Sequence, residues 1–406
     1  ANEKVRIAFI GIGNRGGEIA QELYKTGLCE VVALCDVDMG APHTQKLISM
    51  FPKVPRFQDF RQMFDKMADK IDAVTVGTPD HSHFPITIEA MAHGKHVYVE
   101  KPMARTFQEI EVMMRAEKKF GVVTQMGNQG HSEANYFQFK AWKEAGLIKD
   151  VTAITAHMNS PRRWHNWNPN ITHMPMGEPV PETLDWDTWL GVRPFHEYNH
   201  DYHLGQWRCW YDFGMGALGD WGAHIIDTAH EFLDLGLPTE VNPLYLKDHN
   251  PFFFPMSSRI LFRFPERKEM PAVDITWYDG LDNIPPVPEN YGSSDVDPNI
   301  PTVAGGKLQL AKLNPGKEIY FCGLVLFAFW GFVCSVRWVK VSSCTRSPFS
   351  IAGPLSQVFC LGVLAQRMNR KIVFDRDTKQ IVNDPVMNQM LVGEMPRKGW
   401  EQYYNI

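Results

Sequence analysis

Val5-Arg6-Ile7-Ala8-Phe9-Ile10-Gly11-Ile12-Gly13-Asn14-Arg15-Gly16 runs from a mostly apolar segment straight into a glycine turn. Gly11, Gly13 and Gly16 fit a GxGxxG bend between strand and helix. Missing side chains there permit a tight turn and let a pyrophosphate reach the helix N-terminus. Alone the motif is weak. Here it follows a predicted strand over 5–10, opens a predicted helix over 17–25 and precedes a second strand over 31–35 that ends in Asp36. Asp36 stands twenty residues beyond Gly16, where a carboxylate can accept from ribose hydroxyls. The combination predicts a dinucleotide site. Asp36 would repel a 2′-phosphate, which favours NAD, while Asn14 and Arg15 leave room for NADP.

Outward from this unit the alternation continues. Helices are expected near 57–68, 85–93 and 106–120, with strands at 73–76, 96–99 and 122–126. Repeated strand–helix alternation implies an α/β unit whose parallel sheet is covered on both faces. After a helix near 132–145 the character changes to strand-like runs at 151–157, 258–264 and 272–277, separated by long Pro-, Asn- and Trp-rich connections. That pattern suits a second, α+β domain with a large, mostly antiparallel open sheet. One helix is expected over 217–235, and 285–301 reads as an exposed excursion. The domains divide at 1–128 and 129–406.

With 406 residues, 44% hydrophobic and 21% charged, the chain can bury a large core, and a formal net charge of -5 argues against a nucleic-acid partner. Seven cysteines form no CxxC pair, so neither zinc nor a disulfide scaffold is indicated. The chain starts at Ala1 and shows no signal-peptide pattern. The compartment stays open: cytoplasmic or, if an export signal was removed before Ala1, periplasmic. Residues 321–336 carry no charge, yet sixteen residues fall short of the roughly twenty that span a bilayer, so no membrane partner is assigned.

Three constellations carry chemistry. Thr78-Pro79-Asp80-His81-Ser82-His83 follows the strand at 73–76, at the sheet edge where ligands of open α/β proteins bind. Its His-x-His spacing lacks a convergent carboxylate or thiolate set, so no metal is assigned. Glu100-Lys101-Pro102 ends the next strand. A lysine there is usually just solvated, but beside a nicotinamide its ammonium could hydrogen-bond a substrate hydroxyl and favour the developing alkoxide. In Gly216 to Asp227, the spacing of Asp220, His224 and Asp227 puts all three on one face of a helix. A carboxylate that orients a histidine builds a general base; a capped helix with surface polar residues gives the same pattern. Residues 157–211 crowd in His157, Arg163, Trp164, His200, His203, Trp207, Trp210 and Tyr211. For any one of them a core role is the simpler reading; as a set they favour a carbohydrate-sized ligand.

Taken together, the glycine turn, Thr-Pro-Asp-His-Ser-His, Glu-Lys-Pro and Asp-x-x-x-His resemble the glucose-fructose oxidoreductase, inositol dehydrogenase and MocA family. Gln125-Met126-Gly127-Asn128-Gln129-Gly130-His131 and 207–224 look most like its bacterial sugar-oxidising branch. The resemblance implies an N-terminal Rossmann domain, a C-terminal α/β domain whose open sheet forms a homo-oligomer (dimer or tetramer), and NAD or NADP as cofactor. It implies Lys101 and His224 as catalytic pair with Asp220 supporting His224. Thr78, Pro79, His83, Glu100 and Asn128 would lie near the cofactor, with Gln129, His157, Arg163, Trp164 and Tyr211 near a sugar or polyol. The expected activity is hydride transfer between nicotinamide and a hydroxyl-bearing carbon of a sugar, glycoside or cyclic polyol. Its rivals are a glycosidase that oxidises its sugar transiently and a non-catalytic sensor. The resemblance breaks at 321–346, which lack any acidic residue and hold three of the seven cysteines.

Overall fold

Six short strands, β1 (Val5–Ile10), β2 (Cys29–Cys35), β3 (Arg56–Phe57), β4 (Ala73–Val76), β5 (His96–Val99) and β6 (Thr124–Met126), form one sheet in the order β3-β2-β1-β4-β5-β6. Every neighbouring pair is parallel. The computed structural model describes residues 4–132, 134–158, 167–203, 205–286 and 345–406. Arg163, Trp164 and residues 321–344 lie outside them.

The sequence accounts for the sheet directly. Val5–Ile10, apart from Arg6, and Ala73–Val76 are buried on both faces, as strands covered by helices are. Strand order reverses between β1 and β4, and this switch point brings two glycine turns together: a Cβ at Gly11 (φ +77°) would lie 2.7 Å from the backbone of Gly77 and Thr78. Of the helices packed on the sheet, α1 (Asn14–Lys25) follows the first turn, α4 (Asp80–Ala92) the β4 turn and α5 (Phe107–Phe120) the β5 turn. Helix α4 begins at Asp80, earlier than residue 85, and is buried almost all round. It lies between the sheet and the second domain, so it has no polar face to reveal its period.

The second sheet has the order β12-β11-β8-β9-β10-β7, with strands β7 (Ala153–Met158), β8 (Glu240–Lys247), β9 (Ser257–Phe264), β10 (Val273–Asp279), β11 (Ile372–Asp375) and β12 (Gln380–Ile381). It is antiparallel except where β7 joins β10. A long helix, Phe349–Met368, packs between this sheet and the nucleotide domain. It is long and apolar enough to cross a membrane, but 78% of its most apolar window is buried, as in a core helix. One continuous hydrophobic core joins Ala8, Val97 and Met126 of the first domain to Phe262, Trp277 and Phe359 of the second.

The helix expected over 217–235 runs as Gly216–Ile225 and Asp227–Phe232 with Ile226 alone between them. Ile226 keeps right-handed helical dihedrals, and the Ile226 N–H to Gly222 carbonyl (2.8 Å) and His230 N–H to Ile226 carbonyl (2.9 Å) bonds carry the helical pattern across it. The Asp227 carboxylate accepts from Asn128 Nδ2 at 3.0 Å and from His131 Nε2 at 2.7 Å.

Candidate active site

The ends of β1, β2 and β4 frame a groove of about 150 Å³. Gly11, Gly13, Asn14, Arg15, Asp36, Thr78 and Pro79 line it. A Cβ at Gly16 would come within 1.9 Å of the Gly11 carbonyl oxygen, so the turn closes only because that residue is glycine. Gly13 caps the helix Asn14–Lys25 without a side-chain hydrogen bond, which leaves first-turn N–H groups for an anion. Asp36 accepts from the Ile12 N–H at 2.9 Å and the Asp38 N–H at 3.0 Å, tying the glycine turn to the end of β2. Burial raises its carboxyl pKa.

Two buried polar atoms of lining residues have no partner among the described residues, Thr78 Oγ1 and Arg15 Nη2. A bare glycine turn, an uncapped helix start, a carboxylate at the end of β2 and these two orphaned groups fit a dinucleotide.

The roof of the groove comes from far along the chain and was not anticipated. His43, Gln58, Trp189, His203, Arg208 and Trp400 line it. Residues 183–185 clasp the end of β2: Thr183 Oγ1 donates to Asp38 Oδ1 at 2.6 Å, Gln58 Nε2 donates to the Thr183 carbonyl at 2.8 Å, and the Asp185 N–H donates to the Val37 carbonyl at 2.8 Å. Nothing in local sequence flags Trp400 or Thr183, because their partners are remote.

Lys101, Asp220 and His224 converge beyond Arg15. The loop after β5 carries Lys101, and Lys101 Nζ donates to Asp220 Oδ1 at 2.5 Å, the two side chains being 15% and 6% exposed. His224 lies one helical turn past Asp220. The geometry thus gives Asp220 a contact with Lys101, an ion pair strengthened by its burial. Burial, together with the positive charges of Lys101 and Arg15, holds the His224 pKa well below its ordinary value. The shift favours the neutral imidazole over the cation.

Other expected contacts are redistributed. Glu100 is buried and faces Arg15 (Nε to Oε1, 3.7 Å) and Tyr98. His83 lies between the carbonyls of Thr78 (2.9 Å) and Pro102 (2.7 Å), bridging the loops after β4 and β5, and does not line the groove. His81 points at the carbonyls of Trp189 and Phe213. Asn128 Nδ2 donates to Asp227, while its buried Oδ1 has no partner among the described residues. Gln129 is half-buried in the turn after β6. His157 sits on β7 opposite Tyr278. Tyr211 is 1% exposed, packed on Phe254 with ring centroids 4.1 Å apart; Trp207 and Trp210 join a buried aromatic cluster with Trp186, Trp189 and Tyr202. Tyr211 and Trp210 are core, each 1% exposed, whereas Trp207 and Trp189 also line the groove.

The parallel sheet with its glycine turn and the site at its C-terminal edge define a dinucleotide-binding oxidoreductase architecture. Residues 5–128 match the oxidoreductase family's NAD-binding Rossmann fold and residues 138–243 match its C-terminal alpha/beta domain. The chain belongs to this family, that of glucose-fructose oxidoreductase, inositol dehydrogenase and MocA. Among its relatives, an alpha-N-acetylgalactosaminidase of Shewanella oneidensis is 31% identical over 203 residues, and a glycosyl hydrolase family 109 protein of Shewanella sp. strain ANA-3 is 30% identical over 203 residues. The chain spans 42% of the length of these curated relatives, and the match covers 42% of the chain. The fold is that of GenD2 from gentamicin A biosynthesis, in complex with NAD (TM-score 0.58, 14% identity, covering 92% of this chain and 97% of that one). It is also that of the aldose-aldose oxidoreductase of Caulobacter crescentus, complexed with glycerol (TM-score 0.55, 17% identity, 92% and 100%).

Proposed function

We propose that the protein is an NAD-dependent enzyme that removes hydride from a hydroxyl-bearing carbon of a sugar, glycoside or cyclic polyol. The observation that carries this reading is the meeting of a buried Lys101–Asp220 pair with a neutral His224 (2.5 Å between Lys101 Nζ and Asp220 Oδ1) at the sheet edge next to the glycine-turn groove. Gly11, Gly13, Asn14, Arg15, Asp36 and Thr78 would hold the dinucleotide, which supplies a hydride acceptor when bound. His224 takes the hydroxyl proton. Lys101, oriented by Asp220, hydrogen-bonds the same oxygen and stabilises the negative charge that develops as the proton leaves. In the reverse direction His224 returns the proton.

A second reading, glycoside cleavage through transient oxidation with no net redox change, draws support from the likeness to the alpha-N-acetylgalactosaminidase. Both readings share the first proton and hydride transfer and part company afterwards. The test is a panel of aldoses, polyols and aryl α-N-acetylhexosaminides assayed with NAD, following absorbance at 340 nm and aglycone release together. Accumulating NADH without aglycone supports net oxidation; aglycone without NADH supports the glycosidase. Neither signal, with NAD bound, refutes both. With any active substrate, Lys101→Ala should lower kcat by roughly 10²–10⁴-fold with NAD affinity retained, and unchanged turnover would remove Lys101 from the reaction.

A further inference from the structure

Helix Gly216–Ile225, which carries Asp220 and His224, is held by three consecutive strand-end loops of the nucleotide sheet. After β4, Asp80 Oδ2 accepts from the N–H of Met215, the residue that caps this helix, at 3.0 Å. After β5, Lys101 reaches Asp220 in the middle of the helix. After β6, Asn128 and His131 take Asp227, two residues past Ile225 at its C-terminal end. All four end-holding residues are buried: Asp80 is 5% exposed, Asn128 0%, His131 0% and Asp227 2%.

We infer that Asp80 at one end, and Asn128 and His131 acting on Asp227 at the other, are positioning residues that fix where His224 stands relative to Lys101. The hydride-transfer reading above supplies the reason such precision matters, but the clamp itself is a statement about geometry.

Both ends have a local physical basis. The Met215 N–H is among the donors that a helix start leaves without an internal partner, and a carboxylate there also opposes the positive end of the helix. The backbone beside it is fixed as well, since the His81 N–H donates to the Phe213 carbonyl at 3.2 Å and the His81 ring lies between the carbonyls of Phe213 (3.3 Å) and Trp189 (2.6 Å). At the other end the His131 ring offers Nε2 to Asp227 and Nδ1 to the Arg346 carbonyl at 3.1 Å. Burial lowers the His131 pKa but the Asp227 carboxylate more than offsets it, so the net shift is upward, and Asp227 is held by His131 as well as by Asn128. The turn comes very close: a Cβ at Gly130 would stand 3.4 Å from Asp227 Oδ2 and 3.9 Å from the His224 carbonyl oxygen.

None of these four residues needs to touch substrate for its loss to matter. Without these end contacts the helix is held by the Lys101–Asp220 pair and by its packing on Phe349–Met368, and a small rotation moves His224 while the ion pair survives. A displacement on the order of 1 Å at a reacting group is enough to cost about 10²-fold in rate.

The test reads His224 itself and needs no substrate. Protein labelled with ¹⁵N-histidine is titrated by NMR, with the His224 signals assigned by their loss in His224→Asn. In Asp80→Ala, His224 should move away from the charges of Lys101 and Arg15 and toward water, so its midpoint should climb by at least one pH unit toward the ordinary histidine value, and its ring shifts should change. Asp80→Asn, whose amide oxygen can still accept from Met215, should restore the wild-type curve. A general loss of folding stability would not separate the two variants in this way. If Asp80→Ala does not fold, Asp227→Asn, which discharges the other end without changing its shape, is read by the same titration. A wild-type His224 curve in whichever of these variants folds overturns the clamp, and so does an equal shift in Asp80→Ala and Asp80→Asn. Failure of every substrate in the panel, with these curves shifted as described, would refute the proposed reaction and leave the clamp standing.

Discussion

Lys101 and Asp220 keep opposite charges at 15% and 6% side-chain exposure, and at that depth removing one partner costs more than the pair contributes, because the other charge is left buried. Lys101→Ala should therefore destabilise the protein as well as slow it. The buried histidines set a second residue-scale expectation. Burial lowers the pKa of His81 to about 3 and also lowers those of His83 and His230. A histidine whose folded pKa lies below its unfolded value near 6.5 binds fewer protons when folded, so its contribution is intact above pH 6.5 and is lost as pH falls toward the folded value. His131 runs the other way: the Asp227 contact offsets its burial and raises its pKa, so its stabilisation is present below pH 6.5 and fades as pH rises through the folded pKa. The buried neutral group outnumbers it, and melting temperature should fall between pH 6.5 and pH 4.5. His81 alone accounts for about 2–3 kcal/mol at pH 4.5 by this linkage. Thermal melts across that range should be flatter in His81→Gln than in wild type; parallel curves would mean that His81 is not held neutral.

At the scale of elements, glycine governs how closely the helix Gly216–Ile225 approaches its neighbour Phe349–Met368. A Cβ at Gly222 would sit 2.7 Å from a ring carbon of Phe359, and one at Gly362 would sit 2.4 Å from Leu218. Phe359 is fully buried, so the ring cannot swing away. Gly222→Ala should then lose roughly 1–3 kcal/mol to overpacking despite the better helix propensity of alanine, measured by urea denaturation. Equal or greater stability would show that the two helices have room to separate. These contacts also explain what local reading could and could not find. Asp220 and His224 were legible because a four-residue spacing on a helix is a local property. The partners of Asp227 were not, since Asn128 and His131 lie some hundred residues upstream. Nor was the Lys101 contact of Asp220, because it depends on how two domains dock.

For the whole molecule, the glycine turn, the alternation over 5–126 and Asp36 foretold the parallel sheet and its groove. The apolar runs of the second domain located β7, β9 and β10 to within two residues at either end. The aromatic stretch was legible only as aromatic: its Trp and Tyr side chains form a core whose edge residues, Trp189 and Trp207, roof the groove while their neighbours fill the interior. The molecule joins a nucleotide groove to a proton-accepting site on a helix clamped by the same sheet, and its central claim is that hydride leaves a sugar carbon there. The most direct measurement incubates the NAD-loaded protein with carbon-deuterated hexoses and N-acetylhexosamines and follows deuterium at C4 of the nicotinamide by mass spectrometry. The account predicts deuterium in the nicotinamide with at least one of these sugars in wild type and its loss in Lys101→Ala. An unlabelled nicotinamide across the set, with NAD bound, would contradict it.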